Sequence, residues 1–309
     1  MPQPLRLGLI GLGALGSRIA ARLLRTGFPL EIYDIADVAL RMFNMDVGGS
    51  ITGSPKMMAQ TCDAVVTVLP SAAELREVCF GWESLGRGFG AGGIVIDVGV
   101  TDPMETMAIA HELAAHGVDF VDAPAMGTPA EAKEGKLTVI VGGEERAVAR
   151  CRPILELIAC KVLRAGGAGS AQATRAIADY LRGANLLALS EVLRLGECFG
   201  FAPDFVLRMS EELGHADLLG VMLREVVTRR FHSGTSLGMI RSNIDLAAKL
   251  AAALQVGAPM LEATRAAWSE AESALGSGAD HTAIIRWLER LQPPVESAPG
   301  KQDDSAQTG

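Results

Sequence analysis

The stretch Gly11-Leu12-Gly13-Ala14-Leu15-Gly16 constrains this chain more than any other, because of what flanks it. Leu5 to Ile10 is a compact apolar run of the kind that forms a buried parallel strand. The segment SRIAARLLRTG after Gly16 has helical spacing, and Leu30-Glu31-Ile32-Tyr33-Asp34 reads as the next strand. A lone GxGxxG is weak, but a strand before it, a helix after it and an acidic residue 18 positions past Gly16 make the full dinucleotide fingerprint. The glycines allow a tight turn and close approach of backbone amides to a pyrophosphate, whose charge is favoured at a helix N-terminus. Asp34 is placed to accept hydrogen bonds from ribose hydroxyls and to repel a 2′-phosphate. NAD is therefore favoured over NADP.

The same alternation continues. A helix from Asp37 to Asn44, a short strand near Ile51 and a helix after Ser54-Pro55 precede the buried strand Ala64 to Leu69, which Pro70 ends. Leu69-Pro70 belongs over the cofactor, since open parallel sheets bind ligands beyond the carboxyl ends of their strands. Strands follow at Ile94 to Val98, Val118 to Asp122, Lys136 to Val141 and Lys161 to Arg164. Helices are expected from Thr101-Asp102-Pro103 to His116 and from Glu144 to Ile158. Eight strands separated by helices in the first 165 residues imply one α/β, Rossmann-type doubly wound sheet.

One long helix, Gly169 to Phe199, follows, spanning about 45 Å. Ile177, Leu181, Ala184, Leu187 or Ala188, Val192 and Leu195 recur every three or four residues and are expected to form its buried stripe. Arg175 and Asp179 lie one turn apart near its start, on one face. Beyond Gly200 the pattern is all helical: Pro203 to about Leu213, Ala216 to Arg229, Leu237 to Gln255, Met260 to Ala274 and His281 to Leu291. The proline-bearing polar end reads as disordered. The expected organisation is a dinucleotide-binding domain over 1–166, an all-helical domain with its long interdomain helix over 167–292, and a tail over 293–309.

Composition narrows the partners. A net charge of −8 opposes binding to nucleic acid or an anionic membrane, and no apolar run approaches membrane-spanning length. Five cysteines without CxxC spacing suit a reduced, cytoplasmic setting, and no His/Asp/Glu cluster has the spacing of metal ligands.

GLGALG, Leu69-Pro70, the block FVDAPxxGxxxxAxxGxLTxxVGG from Phe120 to Gly143 and the long helix opened by GSAQ together resemble the β-hydroxyacid dehydrogenase family, over residues 5 to 291. The resemblance implies a Rossmann domain joined to a helical domain, hydride transfer between NAD(P) and a small hydroxy or oxo acid, and a homodimer or homotetramer built through the helical half. It also shows departures. The serine and threonine of the family's DxSTxxP are Gly99 and Val100, the latter expected beside the cofactor. The carboxylate-binding serine of DAPVSGG is Met126, followed by Gly127 and Thr128. The catalytic lysine falls on Arg175 and the asparagine pair on Ala178 and Asp179. The lysine of the downstream Lys-Asp pair falls on Ile244, with Asp245 kept and Arg241 one turn earlier as a partial replacement.

A lysine can exchange a proton with a substrate oxygen, whereas arginine stays protonated and only donates hydrogen bonds and charge. Arg175 is then an electrostatic group, and the proton is expected from Asp179, Tyr180 or His215. Met126 makes the pocket less polar, which favours a larger or less acidic carbonyl substrate. The expected function is an NAD-linked oxidoreductase with an atypical substrate pocket. The alternatives are an imine reductase, in which Asp179 would stabilise an iminium cation, and a protein that holds NAD without turnover.

Overall fold

The structure is a computed structural model, and it describes residues 5–212 and 226–291. The first elements are β1 (Leu7–Ile10), α1 (Gly16–Arg25), β2 (Leu30–Tyr33), α2 (Asp37–Asp46), β3 (Ser50–Ile51), α3 (Pro55–Thr61), β4 (Ala64–Thr67), α4 (Ala72–Phe80) and α5 (Leu85–Gly88). Then come β5 (Ile94–Asp97), α6 (Pro103–Ala115), β6 (Asp119–Asp122), β7 (Ala125–Met126), α7 (Pro129–Glu134), β8 (Leu137–Gly143), α8 (Glu145–Ile158) and β9 (Ala159–Gly166). The strands form one sheet in the order β3-β2-β1-β4-β5-β6-β8-β7, with β9 paired to β8. β1 to β6 run parallel, β8 is antiparallel to β6 and β7, and β9 is parallel to β8.

β1, β4 and β5 are buried at every position because helices cover both faces of the sheet. One core gathers Leu7, Leu9, Ile19, Leu23, Val66, Ile96 and Ile154, under α1 and α8. The other gathers Ile10, Met58, Val65, Leu75, Val95, Ile109 and Leu113, under α3, α4 and α6. Nine strands are present where eight were expected, because the two-residue β7 has no apolar run of its own and exists only through its pairing with β8.

The remaining described helices are α9 (Ser170–Phe199), α10 (Pro203–Glu212), α11 (Leu237–Ala253), α12 (Pro259–Leu275) and α13 (Ile284–Leu291), the last preceded by a 3-10 turn at His281–Ala283. The chain forms two compact units, one of residues 1–177 with 249–256 and one of residues 178–248 with 257–309. Their boundary falls inside α9 and α11. The expected helix from Ala216 and the expected disordered tail lie almost wholly outside the described residues.

α9 corrects one expectation. Ile177, Leu181, Val192 and Leu195, read as the buried stripe, are 55%, 56%, 48% and 67% exposed. The buried face is the opposite one, Ala171, Gln172, Arg175 and Ala176, then Asp179, Leu186, Leu189, Ser190 and Leu193. α9 has apolar residues on two faces, and the packed face carries four polar side chains that hide it from an apolar count. In the second unit Trp268 is fully buried and its indole N–H donates to the Gly183 carbonyl at 3.2 Å. A Cβ at Gly183 would come 2.8 Å from Ile244 Cδ1, so this glycine lets α9 approach α11 closely.

Candidate active site

The glycine turn follows β1 at the carboxyl edge of the sheet. Gly11 has φ +99°, and a Cβ there would lie 2.3 Å from the Val68 carbonyl oxygen; at Gly16 it would lie 1.9 Å from the Gly11 carbonyl oxygen. Packing explains both glycines. Gly13 differs, because a Cβ there would meet nothing within 4 Å. α1 begins beside it, after Leu12, Ala14 and Leu15, with no side-chain cap and no acidic residue in its first turn. Backbone amides, positive dipole and absent side chain thus form a cradle with room for an anionic group. Asp34, directly after β2, accepts from the Leu12 amide at 2.6 Å and the Ala36 amide at 2.8 Å, which fixes its carboxylate beside the turn. Ile35 beside it is 94% exposed.

β4 and β5 bring the next loops alongside. Val68 continues β4 by donating to the Ile10 carbonyl at 2.9 Å, and Leu69-Pro70 follow. At the end of β5 the fully buried Asp97 accepts from the Thr67 hydroxyl at 2.9 Å and the Gly99 amide at 3.3 Å. Burial pushes its carboxyl up to about 7, against the pull of those donors. Val100 lies in the loop that Asp97 starts.

β6 ends in Asp122, which caps α9 from outside. Its Oδ1 accepts from the Gly169 amide at 3.0 Å, and its Oδ2 from the amides of Ala171 at 3.0 Å and Gln172 at 3.2 Å. Gln172 reaches back to the loop after β5, donating to the Gly99 carbonyl at 2.9 Å and accepting from the Thr101 amide at 3.2 Å. One turn on, Arg175 is 8% exposed and its Nη1 donates to the Ala125 carbonyl at 2.7 Å, on β7 next to half-buried Met126. Gly127 has φ +139°, a value glycine favours. Thr128 opens α7 in a capping box with Glu131, whose Oε2 accepts from the Thr128 amide at 2.7 Å. Gly13, Asp34 and Val100 lie in loops, Met126 ends β7 and Arg175 lies on α9, and all five belong to the first unit.

In the second unit Asp179 is fully buried and accepts from Asn243 Nδ2 at 2.7 Å. Arg241 is engaged by carboxylates, Nη1 with Asp245 at 2.6 Å and Nε with Glu272 at 2.5 Å. Arg265 shares Asp245 at 2.8 Å. Three carboxylates, Asp245, Glu262 and Glu272, face these two arginines. Tyr180 is half-buried, and His215 lies outside the described residues.

The sequence reading overlooked His281, Gln172 and Asp122 as partners of the site or core. His281 is buried, its Nδ1 is 2.8 Å from the Ser233 hydroxyl, and burial lowers its pKa, so it is neutral near pH 7. Asp280 before it accepts from the amide and hydroxyl of Ser233 and the amide and hydroxyl of Thr282. This fixed cluster ties residues 233–236 to the turn before α13. Among the described residues, no group of three His, Cys, Asp or Glu could hold a metal, and no helix is long and apolar enough to cross a membrane. Among the described residues, no cysteine forms a disulfide.

Known proteins resemble this chain over most of its length. Residues 6–167 match the family model described as the NAD binding domain of 6-phosphogluconate dehydrogenase. Residues 169–288 match the one described as NAD-binding of NADP-dependent 3-hydroxyisobutyrate dehydrogenase. The chain is 27% identical over 289 residues to 2-hydroxy-3-oxopropionate reductase of Escherichia coli K12, covering 93% of this chain and 98% of that one. It is 30% identical over 203 residues to mitochondrial 3-hydroxyisobutyrate dehydrogenase of Bos taurus, covering 66% of this chain and 60% of the relative. Mycobacterium tuberculosis 3-hydroxyisobutyrate dehydrogenase, solved with L-serine, shares the fold with a TM-score of 0.86 at 21% identity, over 93% of this chain and 99% of that one.

Proposed function

Because the chain belongs to the β-hydroxyacid dehydrogenase family and is an NAD(P)-dependent oxidoreductase interconverting an alcohol and a carbonyl, we propose that it uses NAD and acts on a substrate less acidic than a small hydroxy acid. The observation that carries the cofactor reading is Gly13, the one glycine of its turn whose missing Cβ no protein atom accounts for. The residues present fit a dinucleotide: the amides at the start of α1 would hold its pyrophosphate, and Asp34 its adenosine ribose. Asp34, Ile35 and Asp37 put two carboxylates and no cation directly after β2, an arrangement that disfavours a 2′-phosphate. Asp37 is itself paired with Arg41 at 2.9 Å.

Bound nicotinamide supplies or accepts the hydride. Leu69, Pro70 and Val100 border its side of the site. Arg175 holds its guanidinium where charge develops on the substrate oxygen and stabilises that charge without giving up a proton. The proton therefore moves through another group, and Asp179, one turn along α9, Tyr180 and His215 are the candidates. Met126, Gly127 and Thr128 face the substrate with an apolar side chain where a hydroxyl would suit a carboxylate. The exposed stripe of Ile177, Leu181, Val192, Leu195 and Phe199, all 48 to 75% exposed, supports self-association into a homodimer or homotetramer. Cysteines without a disulfide, three of them buried with raised pKa, suit a reduced cytoplasmic setting.

The test is a fluorescence titration with NADH and NADPH, followed by turnover of oxo acids, their esters, aldehydes and cyclic imines. NADH binding at least tenfold tighter than NADPH, with esters or aldehydes preferred over oxo acids, is expected. Turnover of imines alone would replace this reading with an imine reductase. Tight NADH binding without any turnover would replace it with a binding protein.

A further inference from the structure

The structure assigns Gln172 a role as a positioning residue that sets the loop after β5 and the Arg175 turn of α9 in one register. The inference rests on the reading that a dinucleotide binds over the Gly11–Gly16 turn. Gln172 is the third residue of α9 and 1% exposed. Its side-chain amide brackets Val100: Nε2 donates to the Gly99 carbonyl at 2.9 Å and Oε1 accepts from the Thr101 amide at 3.2 Å. Its own backbone amide is capped by Asp122 at 3.2 Å. One residue thereby joins the end of β6, the loop after β5 and the helix whose next turn carries Arg175.

The loop is also held by the Val98 amide on the Thr67 carbonyl at 2.9 Å and by the Thr101 and Thr106 hydroxyls 2.8 Å apart, but among the described residues only Gln172 meets the Gly99 carbonyl and the Thr101 amide. Asp97 reaches the Gly99 amide at 3.3 Å and the Thr101 hydroxyl only at 3.5 Å. Gly99 is pressed against Leu69, since a Cβ would lie 2.9 Å from the Leu69 carbonyl oxygen. Gly99 and Thr101 are buried, whereas Val100 is partly exposed. Without the Gln172 amide, a buried carbonyl and a buried N–H lose their partners together, and the loop must turn to recover them. β5 neighbours β4 and then β1, so this loop borders the carboxyl edge where a dinucleotide lies. Gln172 thus links the shape of the cofactor-side loop to the placement of Arg175.

Two substitutions separate positioning from packing. Gln172→Leu keeps bulk and loses both hydrogen bonds. Gln172→Glu keeps both only while protonated, its O–H donating to Gly99 and its carbonyl accepting from Thr101. The charged groups around that position are Asp97 from β5, Asp122 from β6 and Arg175 on α9. Asp97 also titrates in the parent protein, so the readout is the ratio of variant to parent Kd for NADH at each pH, on protein shown to be folded by circular dichroism. The ratio for Gln172→Leu is expected to be at least 10 at both pH 5.5 and pH 8.5. For Gln172→Glu it is expected to be below 3 at pH 5.5 and above 10 at pH 8.5. A Gln172→Leu ratio below 2, or a Gln172→Glu ratio equal at both pH values, would overturn the role. Absence of NADH binding by the parent protein would instead remove the cofactor reading, and this inference with it. In the parent protein NADH is also expected to slow amide exchange in 99–104 and 170–176 together. Slowing in 99–104 alone would refute the link even if neither variant folds.

Discussion

Asp122 offers the most direct measure of how the start of α9 is held. Its carboxylate is buried and accepts from three backbone amides, those of Gly169, Ala171 and Gln172, at 3.0 to 3.2 Å. Burial pushes its carboxyl up and the amides pull it back. Hydrogen bonds to a charged group contribute about 1.5–3 kcal/mol each, so three would suggest about 5–9 kcal/mol. Removing the side chain also removes a desolvation penalty of several kcal/mol. The net loss for Asp122→Ala is then about 3–5 kcal/mol, above the ~2 kcal/mol ceiling of an ordinary N-cap. Asp122→Asn keeps one acceptor and turns an N–H2 group toward the remaining donors, and should cost about 2–3 kcal/mol. Urea unfolding followed by circular dichroism reads this as a midpoint lowered by about 1–2 M for the alanine variant. Amide exchange over residues 169–176 should rise before the global transition. A midpoint within 0.3 M of the parent protein, a difference of about 0.8 kcal/mol, would show that the three amides find other acceptors and that the cap does not anchor α9.

Asp97 gives a pH signature. Its folded-state pKa of about 7 lies above the ordinary carboxylate value, so it contributes stability at low pH that is lost as pH rises through 7. Between pH 5 and pH 8 the loss is about 2–3 kcal/mol, and Asp97→Asn should flatten that part of the urea-midpoint profile; an unchanged slope would refute the assignment. The glycine turn separates two roles. Gly16→Ala, with its Cβ 1.9 Å from a carbonyl oxygen, should destabilise by about 3 kcal/mol or more, whereas Gly13→Ala should melt like the parent protein and bind NADH at least tenfold more weakly. Arg175→Lys should raise turnover of 3-hydroxyisobutyrate, because an amine can exchange the proton a guanidinium keeps. Glu131→Ala frees the Thr128 amide from its internal carboxylate and should strengthen binding of 3-hydroxyisobutyrate by about tenfold, an effect of ~1.4 kcal/mol, in calorimetry.

Most of the fold was legible because the chemistry that forms it is local. β1, β4 and β5 are buried on both faces, so each appears as an unbroken apolar run. Ser54-Pro55 and Asp102-Pro103 open α3 and α6 as their cap and proline chemistry requires, each with a side-chain cap on its first turn. The glycine turn was legible for the same reason, its meaning lying in its immediate neighbours. α4, α5, α7 and β7 were missed. Ser71 with Glu74 and Thr128 with Glu131 do carry start signals, but the helices are short and too little apolar periodicity follows them.

The candidate site was less legible, because its polar residues take their partners from far along the chain. Gln172 meets Gly99 and Thr101 more than 70 positions away, Arg175 meets Ala125 across 50, and Asp179 meets Asn243 across 64. Periodicity cannot register such partners, and it assigned the buried stripe to another face. The inversion on α9 and the overlooked roles of Gln172 and Asp122 therefore have one cause. A helix that buries Gln172, Arg175, Asp179 and Ser190 is held in place by hydrogen bonds that only the folded sheet and the neighbouring helices supply, and its apolar outer stripe is left for another surface. Buried polar residues on an otherwise apolar helix thus mark where such a chain is tied to distant parts of its own fold, which no local pattern of apolar residues reveals.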